Sequence, residues 1–180
     1  DANSQTDHIW IYYGNSGASF DSYNNKTQVW DSNFKGVWHL KEDPTGTAPQ
    51  MKDSTSGANS GTAQGSFVSG DQQAAQIDGG LHYGGSQNVQ MANEANFGFE
   101  RTQPFTIEYW VKPAATTTSN PVSKLAEASP YTGWITAHNR GSAANQPGYI
   151  SFEILSSVTA NNYIDVYTTS STKLNDGGWH

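Results

Sequence analysis

Oxygen-bearing side chains are concentrated between residues 42 and 78, and oxygen atoms are the ligands that Ca²⁺ takes in proteins. Asp53 and Asn59 share one turn of the sequence, Asp53-Ser-Thr-Ser-Gly-Ala-Asn-Ser-Gly61. The other predicted calcium ligands, which would fold back toward this turn, are Glu42, Asp43 and Asp78. The spacing is not that of an EF-hand, because no Glu closes the loop. The alternative is a solvated turn in which Asp53 caps backbone amides.

A second group of residues combines aromatic rings with planar polar groups, the pairing that sugar recognition requires. The predicted ligand-binding residues are Tyr131, Trp134, His138, Asn139 and Arg140, in and beside a strand bounded by loops. Three further tyrosines are candidates to join them: Tyr83, Tyr149 and Tyr163. The alternative for Trp134 is a place in the core, where a strand tryptophan commonly packs.

Catalysis is not predicted. Glycoside hydrolysis needs two carboxylates held about 5–10 Å apart, whereas Glu108 and Glu153 each stand alone among uncharged neighbours. The five histidines lack the spacing of a metal set. The chain also has no Gly-x-Ser-x-Gly nucleophile elbow.

Composition narrows the class of protein. Aromatic residues make up 12% of the 180 residues, and such aromatic content predicts an ordered core. The net charge is −7 and no basic run occurs, so nucleic acid is not an expected partner. No apolar run reaches the roughly 20 residues of a membrane helix, so direct membrane insertion is not expected. Cysteine is absent, which excludes disulfides and thiol catalysis and fits a bacterial exported protein.

Short strands separated by turns are the predicted elements. Residues 105–112 form the clearest strand, bracketed by Pro104 and Pro113, with apolar and polar side chains in alternation. Phe105, Ile107, Tyr109 and Val111 are predicted to lie on one face of this strand, and Thr106, Glu108, Trp110 and Lys112 on the other. Further strands are predicted at residues 8–13, 37–40, 74–78, 81–83, 89–91, 122–125, 134–137, 149–155 and 164–168, and one helical turn within residues 88–99. This pattern predicts an all-β sandwich or barrel.

Five motifs in a fixed order carry a resemblance to a known family. They are Gly36-Val-Trp-His-Leu40, the Asp53–Gly61 turn, Gln76-Ile-Asp-Gly-Gly80, Phe105-Thr-Ile-Glu-Tyr-Trp-Val-Lys-Pro113 and Asp176-Gly-Gly-Trp-His180. Together they resemble the laminin-G-like branch of the concanavalin A-like lectin/glucanase domains. The resemblance implies an antiparallel β-sandwich of jelly-roll type over residues 36–180, with Trp38 and Trp110 in its core. Residues 1–35 resemble the tail of a small β-module that precedes such domains in bacterial surface proteins, and are predicted to be an N-terminal arm. The alternative is that they form a first strand and loop of the same sandwich.

The resemblance also sets the functional expectations. Trp179-His180 matches the start of a strand in this family, so C-terminal strands are expected to be missing from this chain. These strands would have been cut away, or left unidentified, or they would be supplied by a strand-donating neighbouring chain or domain. The expected function is a non-catalytic adhesion or recognition module, secreted or on the cell surface. It would bind a glycan or a surface protein through loops at one sandwich end, with Ca²⁺ as a candidate cofactor. The alternatives are a structural subunit or tip of an extracellular fibre or motor-associated surface assembly, and a carbohydrate-binding module of a polysaccharide-degrading enzyme.

Overall fold

The computed structural model describes residues 13–17, 29–100, 102–113, 118–126, 128–139, 148–157, 162–168 and 174–180. The predicted strand at residues 8–13 lies outside these ranges except for Tyr13, and most of the predicted arm at residues 1–35 does so as well. The described residues form strands and two short 3-10 turns, which confirms the β-rich prediction. They contain no helix with the length and apolar character that crossing a membrane requires.

Within the described ranges, eight strands form three small antiparallel sheets. Strands β1 (Gly61–Gln64) and β4 (Asn88–Met91) pair with each other, as do β2 (Gln72–Gln73) and β3 (Gly80–Leu81). The largest sheet has the order β5-β6-β7-β8. Its strands are β5 (Ser123–Leu125), β6 (Gly133–His138), β7 (Ile150–Ser157) and β8 (Asn162–Tyr167). The 3-10 turns span Ser69–Asp71 and Glu94–Phe97, the second within the region predicted to hold a helical turn.

Strand β6 is the centre of the core. Five consecutive residues, 134–138, are buried, which means that both faces of the strand are covered. Its Trp, Ile and Thr residues suit a pleated surface of this kind. On one face, Trp134 lies near Phe99 and Phe105, with ring centroids 6.3 and 6.0 Å away. The indole Nε1 of Trp134 donates a hydrogen bond to the carbonyl of Phe97 at 2.9 Å, so the polar end of the ring is also satisfied.

Residues 105–112 cross this face of the large sheet as an extended segment. Their side chains alternate between half-buried and exposed along the whole segment, as the alternation in the sequence predicts. The expected core position of Trp110 is wrong, because Trp110 lies on the outer face and is 54% exposed. Phe105 lies 5.9 Å from Phe152, and Tyr109 lies 6.4 Å from His138, between ring centroids. The segment nevertheless belongs to none of the three sheets. Its regular pairing is limited to its end, where Val111 and His180 exchange two backbone hydrogen bonds of 3.0 and 2.9 Å.

The first motif of the series is tied to the Asp53 turn. The predicted strand at residues 37–40 is reduced to a single bridge between Trp38 and Asp53. Trp38 Nε1 donates to the carbonyl of Asn59 at 2.9 Å, and the Trp38 ring lies 5.8 Å from that of Phe97. Leu40 has a φ of 54°, a left-handed conformation that ends an extended run. Met51, fully buried, links this region to β1 through two backbone hydrogen bonds with Gly61.

Candidate functional site

Asp53 organises the turn at residues 53–61 by accepting four hydrogen bonds. Its Oδ1 accepts hydrogen bonds from the amides of Val37 (3.0 Å) and Thr55 (2.9 Å). Its Oδ2 accepts from the Asn59 amide and the Thr55 hydroxyl, both at 2.8 Å. The side chain is only 9% exposed, so these contacts replace water as its solvation. All four hydrogen bonds that Asp53 accepts therefore come from protein donors. This agrees with the alternative in which Asp53 caps backbone amides, except that the turn is buried and not solvated.

Asn59, the other predicted ligand in this turn, is 1% exposed and equally committed. Its Nδ2 donates to the carbonyl of Lys35, and its Oδ1 accepts from the side-chain amides of Asn93 and Asn96 at 3.0 and 2.9 Å. The turn is thereby fastened to the 3-10 turn at Glu94–Phe97. The sequence gives no sign of this link, because its members are more than thirty positions apart.

The three remaining predicted calcium ligands are held by separate partners. Asp78 pairs with Lys41 at 2.7 Å, and Asp43 accepts hydrogen bonds from the hydroxyls of Thr45 (2.7 Å) and Ser69 (2.6 Å). The Ser69 and Thr45 hydrogen bonds lower the pKa of Asp43. Glu42 Oε1 accepts from the amide of Lys52 at 3.2 Å, while its Oε2 is buried without a partner among the described residues.

Within the described ranges, no three His, Cys, Asp or Glu side chains are grouped so that they could hold a metal ion. Asp53 and Asn59 are joined to each other, whereas Asp43 and Asp78 hold different neighbours. The oxygens of Asp53 do not fit a calcium site in this arrangement, because both already accept two hydrogen bonds. The oxygen of Glu42 that has no partner among the described residues is one that a cation could still use, and calcium at this loop stays a prediction.

The predicted ligand-binding residues separate along β6. Tyr131, 42% exposed, precedes the strand, and Asn139 follows its other end, so six residues of strand, roughly 20 Å, lie between them. Trp134 is 5% exposed and belongs to the core, so its ring is not presented to a ligand. Arg140 lies outside the described residues. The four described residues among them therefore do not form one site.

A small hollow lies where β6 passes into β7. It is lined by Pro113, His138, Asn139, Gly148, Tyr149, Leu174 and Asn175; its empty space of about 150 Å³ includes open solvent, and it holds essentially no room for a water molecule. The Asn139 amide donates to the Tyr149 carbonyl at 2.9 Å, and Asn139 Oδ1 accepts from the Gly148 amide at 2.5 Å. Ligand pockets are usually about 300–1,000 Å³. The hollow is thus too small to enclose a sugar.

His138 is 3% exposed, and its Nε2 has no hydrogen-bond partner among the described residues. Burial, together with the charge of His180, lowers the pKa of His138. His180 itself pairs with Asp176 at 2.8 Å, and that hydrogen bond lowers the pKa of Asp176. His138 is therefore a neutral core residue at neutral pH, not an exposed ligand group.

Strand β8 presents an exposed surface, of which only Tyr163 was among the predicted ligand-binding candidates. Tyr163 and Tyr167 are 42% and 54% exposed and lie on one face, since residues two and four apart share a face of a strand. Asp165 stands between them, opposite Glu153 of β7. The other face exposes Ile164 and Val166, at 58% and 62%. A signal was present in the sequence, since two tyrosines four positions apart bracket a carboxylate in a predicted strand.

Comparison of the chain with known protein families, curated proteins and solved structures gives no match. The resemblance to laminin-G-like domains therefore stays a prediction from the motifs.

Proposed function

We propose that this protein is a non-catalytic recognition module that binds a glycan through strand β8. The observation that carries the proposal is the pair Tyr163 and Tyr167, exposed on one face with Asp165 between them. Tyrosine combines an apolar ring face with a polar hydroxyl, which suits a ligand whose surface mixes C–H groups and hydroxyls. The two rings are about 13 Å apart along the strand, which suits an extended oligosaccharide more than a single sugar.

The neighbouring carboxylate of Asp165 supports this assignment. Sugar hydroxyls are hydrogen-bond donors, which a carboxylate accepts. Asp165 lies between the two tyrosines on the same face and is half-buried, whereas Glu153 opposite it is buried. The contact surface differs from the predicted one, because it is a strand of the sheet and not the loops at Tyr131 and Asn139.

A protein partner is the second candidate, and the opposite face of β8 favours it. Ile164 and Val166 are aliphatic and more than half exposed, and exposed apolar patches mark protein contacts. The class of protein proposed is a secreted or cell-surface module of bacteria, built as a jelly-roll sandwich. Its support is the packing of Phe105 and Tyr109 on the large sheet, which resembles the meeting of two layers.

Two matched double variants of β8 separate the candidates. Tyr163→Thr with Tyr167→Thr removes the aromatic face, and Ile164→Thr with Val166→Thr removes the aliphatic face; threonine keeps the preference for a strand in both. The assay is affinity electrophoresis of the 180-residue chain in gels that contain soluble β-glucan, xylan, pullulan or galactomannan. We expect at least one polysaccharide to retard the wild type and the Ile164/Val166 variant but not the Tyr163/Tyr167 variant.

Tyr13→Ala is the control, because Tyr13 is 95% exposed and lies far from β8 in the sequence. Equal retardation of all variants would contradict the assignment to β8. If no polysaccharide in the set retards the wild type, the glycan proposal fails. Loss of binding to a surface-protein extract only in the Ile164/Val166 variant would then favour the protein partner.

A further inference from the structure

The backbone of residues 105–110 is extended but unpaired. No amide or carbonyl of these six residues has a hydrogen-bond partner in the part of the chain that the structure describes. Their side chains alternate between half-buried and exposed, so the segment already has the form of a strand. Backbone groups left without partners at a sheet edge are a template for another strand. Trp110 on this segment is 54% exposed, so the segment is accessible from its outer side.

The end of the segment fixes how an added strand would lie. Val111 and His180 exchange both backbone hydrogen bonds, which is the geometry of a hydrogen-bonded antiparallel pair. The Gly177 amide also donates to the carbonyl of Pro113 at 3.2 Å. Because backbone groups alternate in direction, those of Tyr109, Ile107 and Phe105 point to the same edge as those of Val111. This edge is therefore a continuation of a pairing that already exists.

From this geometry we propose that the edge formed by Phe105, Ile107 and Tyr109 takes an extended, antiparallel strand from a partner polypeptide. The partner strand would carry apolar side chains at every second position, next to the half-buried Phe105, Ile107 and Tyr109. Its intervening residues would be polar, with a cation opposite the exposed Glu108. The mode is strand addition, in which backbone hydrogen bonds give affinity and alternate side chains give specificity.

The probe is the peptide acetyl-Thr-Val-Lys-Ile-Thr-Val-amide, written to pair in order with Trp110 through Phe105. Its Lys faces Glu108, and its second, fourth and sixth residues face Tyr109, Ile107 and Phe105. The readout is amide hydrogen exchange of the 180-residue chain, resolved by NMR. At a peptide concentration 100 times the Kd, the amides of Phe105, Ile107 and Tyr109 are expected to exchange about 100-fold more slowly. Those of Thr106, Glu108 and Trp110 point to the other edge and are expected to change little.

Two N-methylated peptides are the matched controls, because they alter the backbone and keep every side chain. Methyl groups on the second, fourth and sixth amides block the proposed hydrogen bonds, and this peptide is expected to lose binding. Methyl groups on the third and fifth amides point away from the protein, and this peptide is expected to bind. Equal binding of both would overturn the proposal, as would slower exchange confined to the other edge.

The absence of saturable slowing up to about 1 mM peptide, a Kd that corresponds to about −4 kcal/mol, would also overturn it. If the exchange of these amides slows with rising protein concentration in the absence of peptide, the strand that pairs with this edge comes from a second copy of this chain, which would overturn the assignment to a different partner. The test is independent of β8, so it can fail while the glycan proposal stands, and the reverse is equally possible.

Discussion

Replacement of Asp53 by Asn tests whether this carboxylate organises the turn. An Asn side chain that places its oxygen at the Oδ1 position keeps the hydrogen bonds from Val37 and Thr55. Its NH₂ group then meets the Asn59 amide, which is itself a donor and loses its acceptor. The Thr55 hydroxyl can rotate to accept instead, since a hydroxyl both donates and accepts.

The magnitude follows from these contacts. One buried amide without a partner costs about 1–3 kcal/mol, and the two retained bonds change from charge-assisted to neutral, which weakens each by about 0.5–1.5 kcal/mol. Removal of a buried charge offsets part of this loss. The free energy of unfolding is therefore expected to fall by about 2–4 kcal/mol. The assay is urea unfolding followed by tryptophan fluorescence, because Trp38 donates to the carbonyl of Asn59 in the same turn.

Asp31→Asn is the matched control. Asp31 is exposed and accepts a local hydrogen bond from the Asn33 amide at 2.9 Å, which an Asn side chain can preserve. This control is expected to change the free energy of unfolding by less than about 0.5 kcal/mol. With a urea dependence of about 1–3 kcal/mol/M, the Asp53→Asn midpoint falls by roughly 0.7–4 M. Equal midpoints for the two variants would refute the assignment of Asp53 as the buried acceptor of this turn.

Three further perturbations test other parts of the structure. Burial lowers the pKa of His138 in the folded chain below its ordinary value of 6.5. As the pH drops below 6.5, the unfolded chain therefore takes up a proton at His138 more readily than the folded chain does. The contribution of His138 to the free energy of unfolding is full above pH 6.5 and falls as the pH drops below that value. Urea midpoints from about pH 7 to 5 are expected to fall in the wild type and to fall less in His138→Leu; parallel curves would contradict this. Gly133→Ala is expected to lower the free energy of unfolding by about 2–4 kcal/mol, because Gly133 has a φ of +136° and a Cβ there would overlap the Lys124 carbonyl. Its control is Gly70→Ala, where a Cβ meets open space, and this variant is expected to lower the free energy of unfolding by under about 1 kcal/mol. Thermal melting with Ca²⁺ and with a chelator tests calcium at Glu42: an ion at 100 times its Kd stabilises by about 2.7 kcal/mol, and an unchanged midpoint would contradict the prediction.

Local patterns predicted much of the strand content. The strands predicted at residues 134–137 and 149–155 fall within β6 and near the bounds of β7, because β-branched and aromatic residues there suit a buried, pleated surface. The alternation of residues 105–112 is confirmed in burial, but the segment is not part of a sheet. Alternation predicts which face is covered, whereas pairing depends on a neighbour that the pattern does not specify.

The candidate sites were harder to predict, because their geometry depends on distant partners. Asp53 and Asn59 are adjacent as expected, but the hydrogen bonds from Asn93 and Asn96 come from another part of the chain. Tyr131 and Asn139 are close in sequence yet lie at opposite ends of a strand, since each strand residue advances the chain by about 3.3 Å. Conversely, Glu153 and Asp165 are distant in sequence, and only the register of β7 and β8 places them together.

The central claim is that strand β8 is the recognition surface. The most direct test is the hydrogen-exchange footprint of the 180-residue chain with the polysaccharide that retards it, compared with the chain alone. Binding through β8 is expected to slow exchange at Tyr163, Asp165 and Tyr167 and in the facing residues of β7. A footprint confined to the loops at Tyr131 and Asn139, with β8 unchanged, would contradict it and return the binding site to the ends of β6.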